Sequence, residues 1–216
     1  IRKTAGFGVA STEKDRERYE HKYEYCDLLV AGSGPAGLSS AYAAAKNGAK
    51  VILAEDKPRF GGSLLTDEVT IDNLSGKAWT DKIITELKEM PNVIVKNRSQ
   101  VFGYYDHNMT VMFERTGDHL KDKPKYTPRQ RLWYIRAKEV LLSTGSIERP
   151  IIFGNNDTPG IFSSAAAKEY IKVYGVLVGK KPLIFTNNDS AYETALEFKK
   201  QGIDPIILDT REEHSS

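Results

Sequence analysis

Three glycines spaced as Gly32, Gly34 and Gly37, the last followed 18 residues on by Glu55, are the residues whose types and positions could do chemistry. That chemistry is the holding of a dinucleotide. Gly32 turns the chain, Gly34 lacks the Cβ that would keep a pyrophosphate off the main chain, and Gly37 lets the next helix pack closely on the preceding strand. Pro35 suits a first helical turn, and with Ser33 and Ala36 it completes the loop. Free N–H groups and the positive end of the helix dipole would face the phosphates. Glu55 lies near the spacing of about 20 at which an acid accepts hydrogen bonds from a ribose diol. Its charge would repel a 2′-phosphate, which favours NAD or the ADP half of FAD; Lys57 and Arg59 keep NADP open as a minor alternative.

The elements needed to position these residues are present. Residues 28–31 and 51–54 are short apolar runs suited to strands buried on both faces of a parallel sheet. Between them, small residues from Ser39 to Ala45 favour a helix, and Gly48 supplies a left-handed stop beyond Asn47. Strand, helix, second strand and acid agree with the glycines, whereas a bare glycine motif would be weak; the bland alternative is a turn kept for packing. After Glu55, a loop carrying Asp56, Arg59, Gly61, Gly62, Ser63 and Leu64 could pass close to a nucleotide.

Further along, Trp79, Ile83, Ile84, Leu87 and Met90 recur at helical period before Pro91. Residues 93–95 read as a buried strand. Residues 100–105 and 109–115, joined by Asp106, His107 and Asn108, read as a hairpin, with 132–136 as a third strand. The basic, proline-bearing stretch 121–131 reads as an exposed loop, with an anionic contact as the alternative. Residues 139–142 form a separate buried strand ending in Ser143, Thr144 and Gly145, and the charge-dense residues 1–24 look like a solvated lead-in.

With 31 basic against 29 acidic residues and a formal charge of +2, nothing points to nucleic acid or an anionic membrane. No apolar run approaches the roughly 18 residues of a transmembrane helix, and no signal peptide is visible, so the chain reads as cytoplasmic. Cys26 is the only cysteine, which excludes a disulfide-reductase pair, and it reads as a packed residue. No histidine pair has metal-ligand spacing, no metal site is expected, and no catalytic constellation emerges. The chain opens on Ile1 and is read as a fragment of a longer polypeptide.

The order of elements resembles the first dinucleotide domain of the two-domain flavoprotein oxidoreductases. The implied fold class is α/β: a Rossmann-like FAD/NAD(P)-binding domain of the two-dinucleotide-binding-domain flavoprotein type, with an inserted antiparallel β-meander. Residues 1–25 are then a lead-in or linker, 26–150 the first dinucleotide-binding domain, and 151–216 a connection and the start of a second Rossmann-like domain. That second domain lacks its glycines. Asn187, Asn188, Asp189, Ser190 and Ala191 stand where they would be, and would obstruct a pyrophosphate. Asp209, at the ribose position, reads as a packing or interface residue.

Three polar segments narrow the resemblance: Phe102-Gly103-Tyr104-Tyr105-Asp106-His107-Asn108, Glu148-Arg149-Pro150 continuing to Phe153-Gly154-Asn155-Asn156-Asp157-Thr158-Pro159-Gly160, and Phe185-Thr186-Asn187-Asn188-Asp189-Ser190-Ala191-Tyr192. With them the chain resembles the alpha subunits of the heterotetrameric sarcosine oxidase family. The resemblance implies an oxidoreductase acting on CH–NH donors: sarcosine is oxidised to glycine, oxygen is reduced to hydrogen peroxide, and the one-carbon unit passes to tetrahydrofolate. It further implies FAD in the beta subunit, FMN at the interface with that subunit, gamma and delta subunits beside it, and NAD in the region of residues 27–145. Carried over by fold analogy, Val101 could meet the adenine, while Thr144 and Gly145 could close the site opposite the glycine turn. The Asn155-Asn156-Asp157 segment could contact a flavin or partner, or simply be a capped turn. An FAD-dependent amine or opine oxidoreductase subunit with FAD in the same site, and a vestigial Rossmann docking module, are the alternatives.

Overall fold

The computed structural model describes Gly6 and residues 11–211. Its centre is a six-stranded sheet with a buried apolar cluster on each face. Strand β1 (Tyr19–Ala31) leads through the glycine turn into helix α1 (Pro35–Lys46), which returns to β2 (Val51–Ala54). The tiny strands β3 (Thr70–Ile71) and β4 (Leu74–Ser75) precede α2 (Gly76–Glu89), and β5 (Val93–Lys96) follows. Next come β6 (Ser99–Tyr105), β7 (Met109–Arg115) and β8 (Gln130–Leu142). The sheet order is β5-β2-β1-β8-β7-β6, with β5, β2, β1 and β8 parallel and β7 antiparallel to both of its neighbours, β8 and β6.

The helices cover one face. Leu38, Ala41 and Ala45 of α1 and Trp79, Ile83, Ile84 and Leu87 of α2 pack on Val30, Val51 and Leu53. On the other face Met112, Trp133 and Ile135 of the meander pack with Cys26, Leu29, Ile52 and Ala54. Period-two alternation in β1 and β2 thus feeds two cores from one layer. Ser75 starts α2, its hydroxyl accepting from the Ala78 N–H at 3.3 Å; Gly48 at φ 85° follows α1 as expected.

Two expectations are corrected. Residues 19–24 are strand, not lead-in: β1 pairs with β8 in unbroken register from Tyr19↔Gln130 to Cys26↔Ala137. They stay largely exposed, as their polarity requires, because Tyr19, Tyr23 and Tyr25 face solvent. Residues 132–136 and 139–142 belong to one 13-residue strand, since Ala137 and Lys138 continue it without a turn. The C-terminal part of that strand is only partly buried, with Leu142 exposed.

Beyond it, α3 (Ser164–Tyr174) is capped by the Ser163 hydroxyl and ended by Gly175 at φ 65°. Then β9 (Leu183–Thr186), α4 (Ser190–Lys200) and β10 (Ile206–Asp209) form a parallel βαβ unit. Ala167 and Ile171 of α3 pack with Ile184, Ala191, Ala195 and Phe198 of that unit. Among the described residues no helix is long and apolar enough to cross a membrane.

Candidate functional site

The glycine turn is built by three different constraints. Gly32 adopts φ 102°, and a Cβ there would lie 2.3 Å from the Ser143 carbonyl oxygen. A Cβ on Gly37 would lie 2.0 Å from the Gly32 carbonyl oxygen, so strand, turn and helix touch through backbone alone. Gly34 is different: a Cβ there would meet nothing within 4 Å. Its missing side chain therefore opens space at the surface instead of relieving protein packing.

Gly34 is also the N-cap of α1, with no side-chain hydrogen bond closing the helix end and Pro35 in the first turn. Pro35 and Ala36 are exposed. An uncapped 12-residue helix beside an open glycine is the arrangement a phosphate requires, and the residues present fit a dinucleotide.

Glu55 directly follows β2 and is buried. Its Oε2 accepts from the Ser33 N–H at 3.0 Å and the Ser33 hydroxyl at 2.5 Å, while Oε1 accepts from the Lys57 N–H at 2.9 Å. The expected ribose acid thus also shapes the turn. Of the two cations that left NADP open, Lys57 is paired with Glu169 of α3 at 2.8 Å and Arg59 donates to the Val173 carbonyl at 3.1 Å.

The following loop folds back onto the turn. The Gly61 N–H donates to the Ser33 carbonyl at 3.1 Å and to its hydroxyl at 3.2 Å. A Cβ on Gly62 would stand 3.0 Å from Gly34 Cα, so the second glycine pair forms a wall of the opening. Gly61 at φ 120° and Gly62 at φ 54° lead into a short 3-10 turn through Ser63 and Leu64. Ser63 is exposed beside the opening, whereas the Leu64 side chain is core and its N–H is taken by the Gly61 carbonyl at 3.0 Å. Asp56 is exposed, its carbonyl accepting from Arg115 at 2.6 Å.

At the opposite side the Ser143 hydroxyl donates to the Ala31 and Gly32 carbonyls at 3.0 and 2.9 Å. The sequence points to Thr144 and Gly145, which follow it on the exposed surface, as site residues and to Ser143 only as part of the turn, whereas Ser143 fastens the end of β8 to the glycine turn. Val101 is half-buried on β6, two residues from Ser99, whose N–H bonds the Glu55 carbonyl at 2.7 Å. A groove of about 770 Å³ lies elsewhere, between Arg59, Phe60, Thr80, Ile84, Lys88 and Val173, and does not include the glycine turn.

The second βαβ unit is closed. Asp209 accepts from Tyr192 at 3.0 Å and from Arg211, which also reaches Asp189 at 2.7 Å. These bonds hold the Asp209 carboxyl well below the usual range. The Asn188 amide oxygen accepts from the Ser190 N–H at 3.0 Å and so occupies the start of α4. Asn155, at φ 62°, begins a turn in which the Thr158 N–H donates to its carbonyl at 3.1 Å. Among the described residues no group of histidine, cysteine or acidic side chains could hold a metal ion.

Comparison with known proteins bears on the fold and the ancestry of the chain. The family described as FAD dependent oxidoreductase matches residues 27–116. The sarcosine oxidase alpha chain of Rhizobium meliloti (strain 1021) is 43% identical over 98% of this chain, and that of Corynebacterium sp. (strain U-96) 37% identical over 98%. In both cases the chain spans 22% of the relative's length. An opine oxidase chain from Agrobacterium tumefaciens (strain Ach5) is 27% identical over 75% of this chain and 33% of its own. Among solved structures, L-proline dehydrogenase from P. horikoshii superposes with a TM-score of 0.70 at 24% identity, over 94% of this chain and 39% of that one, which speaks for the fold alone. The chain is therefore a homologue of one stretch of the sarcosine oxidase alpha subunits, and it carries a Rossmann-type FAD dependent oxidoreductase domain.

Proposed function

We propose that this chain holds NAD in a sarcosine oxidase-like complex, with the pyrophosphate on residues 32–37 and the adenosine ribose at Glu55. The observation that carries the reading is the open space at Gly34 beside an uncapped helix end, with Gly62 walling the opening. Asp56, Ser63, Val101, Thr144 and Gly145 are the surrounding candidates, while Arg59 and the Leu64 side chain are engaged elsewhere. A nicotinamide or flavin ring, when bound, supplies hydride chemistry; this chain's own part is binding and orientation. The whole protein would act on sarcosine, with FAD in a beta subunit, FMN at the interface, gamma and delta partners, and tetrahydrofolate as one-carbon acceptor.

A second reading, FAD in the same opening, is favoured by the family match over residues 27–116. Both cofactors share an ADP half, and the turn addresses that half. Purifying the protein without added nucleotide, recording its absorbance and identifying extracted small molecules by mass spectrometry separates the two. A colourless protein releasing NAD supports the first, and flavin absorbance from a nucleotide bound to this chain supports the second. An empty protein that binds neither in titration overturns both and leaves a docking module.

A further inference from the structure

The loop that walls the opening at Gly34 is held from a distance. After Gly61 and Gly62 the 3-10 turn closes on itself, the Thr66 and Asp67 N–H groups both donating to the Ser63 carbonyl at 2.9 and 2.8 Å. Asp67 is therefore tied to the glycine pair through four residues of compact backbone. Its Oδ1 accepts from Lys168 Nζ at 2.8 Å, and the same ammonium pairs with Glu193. Lys168 lies on α3 and Glu193 on α4, so one buried cation joins the loop to two helices.

Neighbouring charges repeat the connection. Glu68 takes Lys172 of α3 at 3.3 Å and also pairs with Lys200 of α4, and Glu197 accepts from Lys172 at 3.3 Å and Lys200 at 3.0 Å. The Glu68 pairs are more exposed, and exposed pairs contribute little on their own, whereas the buried Glu197 joins α3 to α4 without reaching the loop. Lys168 differs because it is itself only 8% exposed while its carboxylate partners, half-buried Asp67 and exposed Glu193, reach in to it from the loop and from α4, so removing it cuts the link that a buried cation makes between loop and helices.

We propose that Lys168 is a positioning residue for Gly61 and Gly62: by holding Asp67 against α3 and α4 it sets the wall of the phosphate opening, so nucleotide affinity depends on a side chain that touches no nucleotide. The proposal rests on the dinucleotide reading of the glycine turn. It makes the glycine-poor βαβ unit a support for the first site.

The test uses the intact protein and ADP, the half common to NAD and FAD, as titrant. Lys168→Met is expected to weaken ADP binding roughly 2- to 30-fold, the range of long-range coupling changes. Lys168→Arg should recover most of that loss. Should Lys168→Met fail to fold, Asp67→Asn, which keeps the side chain's shape, replaces it. In the nucleotide-free protein, amide exchange at Gly61, Leu64 and Asp67 should rise in the variant while exchange in β1 and β2 stays unchanged, a pattern that general destabilisation would not produce. Unchanged ADP affinity together with unchanged loop exchange overturns the role of Lys168. Wild-type protein that takes no ADP overturns the nucleotide reading instead, and loop exchange then still decides whether Lys168 positions the loop.

Discussion

Ser33 donates both its main-chain N–H and its hydroxyl to one oxygen of Glu55, at 3.0 and 2.5 Å. A carboxylate offers about four acceptor sites. The Lys57 N–H takes a third, and what remains is one direction on Oε1 for a ribose hydroxyl. In Glu55→Gln an amide NH2 must face either the two Ser33 donors or the Lys57 N–H, a donor against a donor. The variant is expected to lose about 1–3 kcal/mol of stability and at least tenfold in NAD or FAD affinity. Thermal unfolding and calorimetric titration measure the two effects; full affinity in the variant would separate Glu55 from nucleotide binding.

Gly34 and Gly37 should respond oppositely to a side chain. Gly34 has φ −68° and ψ −177°, a conformation open to any residue, and empty space where its Cβ would stand. Gly34→Val is expected to leave the melting temperature within a few degrees of wild type and to abolish detectable nucleotide binding, because the side chain would occupy the phosphate position. Gly37→Ala drives a methyl into the Gly32 carbonyl and is expected to cost about 1–3 kcal/mol or more. Adding Ser143→Ala should not rescue it, since the nearest clash is with backbone. A Gly34→Val protein that binds normally would remove the pyrophosphate from this turn.

The glycine turn and its flanking strands could be read from the sequence because their causes are local: apolar runs of four, a helix of small residues, a glycine at each forced backbone position. The start of β1 was hidden although its signal was present. Tyr19, His21, Tyr23 and Tyr25 alternate with Glu20, Lys22 and Glu24 at period two, but because much of this stretch is solvated its alternation of charge masked the alternation of faces. Joining residues 132–136 with 139–142 required knowing that β1 runs alongside both. The fastening role of Ser143 was invisible for another reason: its partner Gly32 lies 111 residues away, and no local pattern marks a hydroxyl that fastens two strand ends.

Glu114 holds the meander together and should govern its response to acid. It is buried between Lys96 and Arg131, each at 3.0 Å, and accepts from the Trp133 indole at 2.7 Å. Burial pushes its pKa upward, but the hydrogen bonds from Lys96 and Trp133 and the charge of Arg131 outweigh that and bring it below the usual value. A carboxyl depressed in the folded state contributes stability that is present above its unfolded pKa and lost as pH falls through the folded one. Glu114→Gln is expected to cost about 2–3 kcal/mol at pH 7. Below about pH 4 the gap to wild type should narrow. Urea unfolding at several pH values checks it, and a gap constant from pH 7 to pH 3 would remove Glu114 from the acid response.

Cys26 should be silent until the sheet opens. Its side chain is fully buried between β2 and the meander, and burial pushes the thiol up from its ordinary 9.0 to about 12. The thiolate is the reactive form, so iodoacetamide at pH 8 is expected to label native protein only at the rate of unfolding. The raised pKa also makes a linkage. Above pH 9 the unfolded chain gives up this proton while the folded one keeps it, so stability present below the unfolded value falls as pH climbs toward 12. Cys26→Ala removes that slope and leaves a small cavity, costing about 1–2 kcal/mol at neutral pH. Between pH 9 and 11 the wild type should therefore lose more of its stability than the variant. Rapid labelling of folded protein at pH 8, or parallel pH profiles for the two proteins, would mean that Cys26 is reached by solvent without opening the core.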